Sequence, residues 1–208
     1  MTAADDALAP LGRMDVYLID QFMKGRFRAA PRVLDAGCGA GRNLDLFLTS
    51  GHEVWLVDAS APPLKSALRH AARLGVPIPD ERAHLGAIEE LDLPTAHFDV
   101  VLSIAVLHFA RDAAHWNAMV DALWARLAPG GLLFARLASS IGIEEQIDPR
   151  SPGRFGLPDG SERYLVTLDD LIATTARVSG ELVEPIKTVN VQGLRCMTTW
   201  IVRRRFDT

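Results

Sequence analysis

Residues Val33-Leu34-Asp35-Ala36-Gly37-Cys38-Gly39-Ala40-Gly41-Arg42-Asn43 confine this chain to a narrow set of folds. An apolar strand runs into a turn with glycine at every other position, then toward a helix. The glycines let the backbone turn sharply and let a ligand approach the main chain with no side chain in the way. Such a crossing lies outside the carboxyl end of a parallel sheet, where cofactors with an adenosine end are held. A dinucleotide fingerprint, Gly-x-Gly-x-x-Gly, would put its third glycine where Arg42 stands. Here the glycines fall at 37, 39 and 41, and Asp35 closes the strand before them.

Periodicity downstream predicts alternating strands and helices. A helical stripe runs from about Ala7 to Lys24 (Leu8, Leu11, Met14, Leu18, Phe22), with Gly25 as its stop. Strand one covers Arg32 to Asp35, a helix Arg42 to Ser50, and strand two Glu53 to Val57. The next helix opens at Ser60 with prolines in its first turn. Short strand three lies near Ala83 to Leu85. The apolar run Phe98 to Ile104, continuous enough to suggest burial on both faces, is strand four. A helix marked by Trp116, Met119, Val120, Leu123, Trp124 and Leu127 is predicted to end at Pro129-Gly130-Gly131, before strand five at Leu132 to Leu137.

From Ser139 to Arg163 prolines and glycines predict a long loop or hairpin turning at Pro158-Asp159-Gly160, a candidate lid. Thr167 and Asp170 cap a further helix. Two closing strands, near Leu182 to Val191 and Leu194 to Arg203, form a hairpin around Gln192-Gly193. The expected fold is therefore α/β: a doubly wound seven-stranded sheet, mostly parallel with a C-terminal antiparallel hairpin, helices on both faces. The expected organisation is one domain over residues 1–208, with residues 1–30 as a helical cover and 139–163 as a lid insertion.

Length and charge narrow the function classes. One domain is natural for 208 residues, 49% of them apolar. A net charge of −4 offers no footprint for nucleic acid or an anionic membrane. Two cysteines, Cys38 and Cys196, make neither a disulfide framework nor a zinc site, and the six histidines show no metal-ligand spacing. No signal peptide or membrane-length apolar run is evident, so a soluble, cytoplasmic protein without bound metal is expected.

The glycine loop with Asp35 resembles motif I of the class I S-adenosylmethionine (SAM)-dependent methyltransferases, and Arg42-Asn43 is similar to the tellurite-resistance branch of that family. Three later segments match family motifs in order: Asp58 at the end of strand two, Phe98 to Phe109, and Leu127-Ala128-Pro129-Gly130-Gly131-Leu132-Leu133. The resemblance covers roughly residues 30 to 137. It implies SAM as methyl donor and S-adenosylhomocysteine as product. Asp35 would hold the methionine amino group through water or indirectly, and Gly37, Cys38, Gly39 and Asn43 would wrap that end. Asp58 with Ala59 would take the ribose hydroxyls. Gly86 to Pro94 resembles the adenine-binding stretch, but Ala87 stands where an acidic residue is usual, so the contact passes to Ala87 and Ile88 main chain or to Glu89. The main chain near Ser103 to Ala105, Ile104 included, would line the methionine and sulfonium side.

His108, after strand four, is the expected general base, since its ordinary pKa lies near neutrality. Tyr17, His108, Arg136 and Arg154, with Arg163, are expected around the acceptor, the arginines through forked hydrogen bonds to an anion. With no separate substrate domain, a small-molecule acceptor is expected, with no nucleic-acid partner; the acceptor atom and oligomeric state stay open. A nicotinamide-dependent oxidoreductase is disfavoured by the glycine spacing and by the lack of a Tyr-x-x-x-Lys pair: Gln21 follows Tyr17, and Leu168 follows Tyr164. A non-catalytic SAM-binding protein is the other alternative.

Overall fold

The computed structural model describes residues 11–206. Its central sheet is built from β1 (Arg32–Ala36), β2 (Glu53–Asp58), β3 (Ala83–Leu85), β4 (Phe98–Ile104) and β5 (Leu127–Ser139), all parallel in the order β5-β4-β1-β2-β3. The C-terminal strands β10 (Lys187–Val191) and β11 (Arg195–Arg204) extend it beside β5 as an antiparallel hairpin around Gln192 and Gly193, both at positive φ. These seven strands follow the expected path. An eighth, β9 (Gly180–Leu182), pairs with the far end of β11, and a second sheet of three strands stands apart, so the count departs from the expected seven.

Helices cover both faces because the strands alternate. Val33 on β1, Leu102 on β4 and Phe134 on β5 pack against α1 (Val16–Met23), α2 (Asp45–Thr49) and α3 (Ala61–Arg73) through Leu18, Phe47 and Ala67. Leu34, Val101 and Leu133 face the other way, toward Trp116, Met119 and Leu123 of α4 (Ala113–Arg126) and Leu171 of α5 (Leu168–Arg177). A fully buried side chain of this size contributes about 1.5–3 kcal/mol. Period-two burial in the strands and 3.6-residue burial in the helices thus fix which helix lies on which face.

Local chemistry sets the boundaries. Asp15 caps α1 by accepting from the Tyr17 N–H, and Gly25 follows the helix at φ +69. The helix is shorter than the Leu8-to-Phe22 stripe predicts: residues 11–14 form a turn, Arg13 precedes the helix, and Ala7–Pro10 lie outside the described residues. Pro62 and Pro63 occupy the first turn of α3 after Ser60. Thr167 and Asp170 form a reciprocal capping box on α5. α2 starts at Asp45 rather than Arg42, because the glycine turn carries the chain three residues further before helical bonding begins.

β5 begins at Leu127, five residues earlier than expected. Phe98 pairs with Leu127 and Val100 with Leu132, so Ala128 to Gly131 bulge out within the strand instead of ending a helix. A Cβ on Gly131 would lie 3.0 Å from the Phe98 carbonyl oxygen, so the strands approach too closely there for a side chain.

The segment expected as a lid is a three-stranded antiparallel sheet of β6 (Asp148–Ser151), β7 (Arg154–Gly156) and β8 (Glu162–Tyr164), with Pro158-Asp159-Gly160 in the β7–β8 turn. Leu157 and Leu165 pack with Ile143, Ala138 and Cys196, which seats this sheet over the carboxyl end of β5 and the start of β11. Among the described residues no helix is long and apolar enough to cross a membrane, and no cluster of side chains could hold a metal ion.

Candidate active site

The carboxyl edge of the parallel sheet opens into three adjoining cavities that share Phe109. The loop cavity, about 430 Å³, lies against the glycine turn and is walled by Gly37, Cys38, Gly39, Asn43, Asp58 and Ala59. The flank cavity, about 300 Å³, continues past the ends of β2 and β3 between Ala87, Ile88, Val106 and Met119. The arginine cavity, about 410 Å³, opens on the other side, between β4, β5 and the three-stranded sheet.

The glycine turn is shaped by its neighbours. Gly37 and Cys38 both donate their N–H to the Val57 carbonyl, at 2.8 and 3.0 Å, which fastens the turn to β2. Gly37 has φ +88, and a Cβ there would meet Val106 Cγ2 at 2.1 Å. At Gly39 a Cβ would meet nothing within 4 Å and would project into open space. Asp58 holds the turn from the other side: Oδ2 accepts from the Gly39 N–H and Oδ1 from the Ser60 N–H, each at 2.8 Å. Each carboxylate oxygen keeps capacity for a second donor. The Cys38 thiol donates to the Gly39 carbonyl, and burial pushes its pKa up, so it is an inert packing group.

Asp35 is set back from the cleft. It is 1% exposed, lines none of the three cavities, and neither carboxylate oxygen has a hydrogen-bond partner. Burial raises its pKa to about 7; Arg42 opposes the rise and Asp58 adds to it. A buried carboxylate with both oxygens unanswered is a site for a donor or cation that the described residues do not supply. Ser103 is likewise fully buried with an unpartnered Oγ and lines no cavity, whereas Ile104 lines two. The side chain of Ser103 sits inside the sheet because β4 is covered on both faces. The next exposed surface belongs to Ala105, held at φ +63 with its N–H donated to the Arg136 carbonyl at 2.7 Å. A non-glycine residue in that region is strained backbone at a cleft wall.

Asn43 lines the loop cavity and also secures α1, because its Oδ1 accepts from the Asp15 N–H at 3.0 Å. Ala87 and Ile88 line the flank cavity with Glu89, whose Oε1 accepts from His115 Nε2 at 2.6 Å.

The general-base expectation for His108 meets a contrary geometry. Its Nδ1 accepts from the Ala138 N–H at 3.0 Å, which places the proton of the neutral ring on Nε2. Burial lowers its pKa to about 4, with Arg163 and Arg195 adding to the fall. The ring is neutral at physiological pH and presents a donor to the arginine cavity; a base would need a free lone pair there. Arg154 is corrected as well: it donates to Glu162 and to the Ala110 carbonyl, tying the small sheet to the loop after β4, and does not line the cavity. Tyr17 lines none of the three cavities and packs under the Arg136 guanidinium at 4.7 Å.

Arg136 does line the arginine cavity, paired to Asp15 at 2.9 Å. Arg163 also lines it, its guanidinium 5.0 Å over the Phe109 ring. Arg42, Phe109, Met197 and Arg195 complete walls that sequence reasoning left unassigned. Arg195 comes from beyond the Gln192-Gly193 turn, and only the pairing of β11 with β5 brings it to this cleft, so no local pattern marks it.

The sequence model of a family described as a methyltransferase domain matches residues 33–131. A ubiquinone biosynthesis O-methyltransferase of Chromobacterium violaceum is 31% identical over 171 residues, spanning 77% of this chain and 68% of the relative. A tRNA 5-carboxymethoxyuridine methyltransferase of Escherichia coli is 31% identical over 54% of this chain and 42% of the relative. Several other curated relatives are matched over about half of their length or less. A SAM-dependent methyltransferase from Clostridium acetobutylicum shares the fold with TM-score 0.72 at 15% identity, over 97% of this chain and 96% of that one.

The chain belongs to the SAM-dependent methyltransferase family. Its residues fit that methyl donor: Gly39 leaves the cleft open, Asp58 retains acceptor capacity between the loop and flank cavities, and the unpartnered Asp35 carboxylate lies buried behind the glycine turn.

Proposed function

We propose that this protein transfers a methyl group from SAM to a small-molecule acceptor bound in the arginine cavity. The observation that carries the reading is the adjacency of the three cavities around Phe109, which puts an arginine-lined chamber of about 410 Å³ beside the glycine-loop cleft. That volume lies within the roughly 300–1,000 Å³ typical of small-ligand sites. The ribose falls to Asp58, with Ala59 beside it, and the amino acid end to Gly37, Cys38, Gly39 and Asn43, with Asp35 acting on the amino group indirectly from behind the turn. The apolar flank cavity takes the adenine ring between Ala87, Ile88 and Met119.

When bound, SAM supplies a methyl carbon on a sulfonium: an acceptor lone pair bonds to that carbon while the carbon–sulfur bond breaks, its electron pair staying on sulfur. The chain's own residues position and desolvate. Ala105 and Ile104 wall the boundary between the loop and arginine cavities, and Phe109 screens it. His108 orients the acceptor through its Nε2–H. With no free base at this histidine, an acceptor that is nucleophilic without losing a proton first, or that sheds it to water, suits the site.

Incubating the protein with methyl-labelled SAM and either a low-molecular-mass metabolite pool or purified RNA tests the reading. Label in the small-molecule fraction with stoichiometric S-adenosylhomocysteine is expected. Label in RNA would overturn the small-molecule assignment, and tight SAM binding without transfer to either pool would make the protein a non-catalytic binder.

A further inference from the structure

We infer that the acceptor carries an oxyanion, a carboxylate or a phosphate, gripped by Arg163 and Arg195 with the Nε2–H of His108 as a third donor. This rests on the reading of the arginine cavity as the acceptor chamber. Four guanidinium groups line it, from Arg42, Arg136, Arg163 and Arg195, against two carboxylates, Asp15 and Asp159.

The two carboxylates do not cancel the arginines evenly. Asp15 is committed to Arg136 at 2.9 Å, with both side chains largely buried. Asp159 is held by the Ser161 hydroxyl and N–H, at 2.6 and 2.9 Å, and reaches Arg195 only at 3.7 Å. Among the described residues Arg163 faces no carboxylate within ion-pairing distance; its guanidinium lies over Phe109 and donates to its neighbour's carbonyl. Arg42 makes no ion pair among the described residues. The chamber therefore holds excess positive charge: among the described residues Arg42 and Arg163 have no carboxylate partner, and Arg195 has only the long contact to Asp159.

His108 lies close enough to this charge to feel it. The cations depressing His108 below its ordinary value, after burial, are these same two arginines. Both thus act on the ring from the cavity side, while its other nitrogen is engaged by the β5 backbone. Two forked donors and one neutral N–H converging on one chamber make a recognition site for a planar carboxylate or a phosphate.

Calorimetric titration with inorganic phosphate and with benzoate, each with and without saturating S-adenosylhomocysteine, tests the inference on the full chain. Saturable binding of at least one anion is expected, weakened at least tenfold in Arg163→Gln and in Arg195→Gln. Arg69→Gln, on the exposed face of α3, should leave it unchanged. S-adenosylhomocysteine affinity within twofold of wild type verifies that each variant is folded; Arg195, 54% exposed in its side chain, tolerates substitution in any case. Binding of S-adenosylhomocysteine with no binding of either anion, or anion binding indifferent to both substitutions, overturns the inference and leaves the cofactor reading intact. Failure of S-adenosylhomocysteine to bind sinks the cofactor reading instead, while the titration without it still decides whether the chamber takes an anion.

Discussion

Asp15 Oδ2 and Arg136 Nη1 stand 2.9 Å apart, joining the first turn of α1 to the carboxyl half of β5 across the mouth of the arginine cavity. Asp15 also caps α1 and donates its own N–H to Asn43 beside the glycine turn. One residue thus links the helical cover, the cofactor loop and the acceptor chamber. Removing it leaves Arg136 largely buried without a counter-charge, a loss of about 3–5 kcal/mol for such pairs, with roughly 1 kcal/mol more for the cap. Asp15→Ala should therefore lower the midpoint of urea unfolding strongly, and the Asp15→Ala/Arg136→Met double variant should recover part of the loss. A double-mutant cycle with no coupling would show that the pair is a surface ornament.

Asp35 gives the cofactor site a pH dependence. Its pKa is about 7 in the folded protein against an ordinary 3.8. The folded state therefore holds the proton more tightly, so without ligand stability falls as pH rises from about 4 to 7, at about 1.4 kcal/mol per unit in the middle of that window. The penalty is fully present above pH 7. Asp35→Asn should raise the melting temperature of the ligand-free protein at pH 8. It should also abolish the rise in S-adenosylhomocysteine affinity expected for wild type between pH 6 and 8. An equal pH profile in both proteins would remove Asp35 from the site.

His108 carries the opposite sign. Its pKa is depressed to about 4 from 6.5, so its contribution is fully present above pH 6.5 and is lost as pH falls toward 4. Thermal melts of His108→Gln should show a shallower loss over that interval than wild type. The wild-type rate should show no inflection near pH 6.5 attributable to this ring. A bell-shaped profile whose acid limb near 6.5 disappears in His108→Gln would restore it as a base.

Gly37 tests the shape of the loop. The substitution Gly37→Ala places a methyl group 2.1 Å from Val106 Cγ2 at φ +88, where L-residues are strained. Overpacking of this kind costs about 1–3 kcal/mol, before the backbone strain is added. Val106→Ala in the same chain should recover much of the loss in melting temperature and part of the S-adenosylhomocysteine affinity. No recovery would mean that the strained backbone, rather than the clash, governs the turn.

The parallel half of the fold was legible because its signals are local. β3 and β4 fall at their expected limits, and the prolines of α3 and the Thr167–Asp170 box mark real helix starts. The early start of β5 is hidden because Pro129-Gly130-Gly131 carries every local sign of a chain break, and only the pairing of Leu127 with Phe98 of β4 carries the strand across it. β6, β7 and β8 are short, mostly exposed strands held by one another, with no alternation strong enough to separate them from a loop. In the site, Asp58 and the glycines lay within one or two recognisable segments. Arg195 and Met197 did not, since they reach the chamber only through sheet pairing across more than fifty residues. Arg154 was misplaced for a related reason: residue type indicated an anion ligand, and only the fold shows it spent on Glu162 and the Ala110 carbonyl.

Asp58 offers the most direct measurement of the central claim. Calorimetry of S-adenosylhomocysteine binding to wild type and to Asp58→Ala, each verified as folded by its thermal melt, compares the cleft with and without its ribose acceptor. The account predicts one site per chain in wild type and at least a tenfold loss in the variant. Undiminished affinity in Asp58→Ala, or no binding to the wild-type chain, would contradict it.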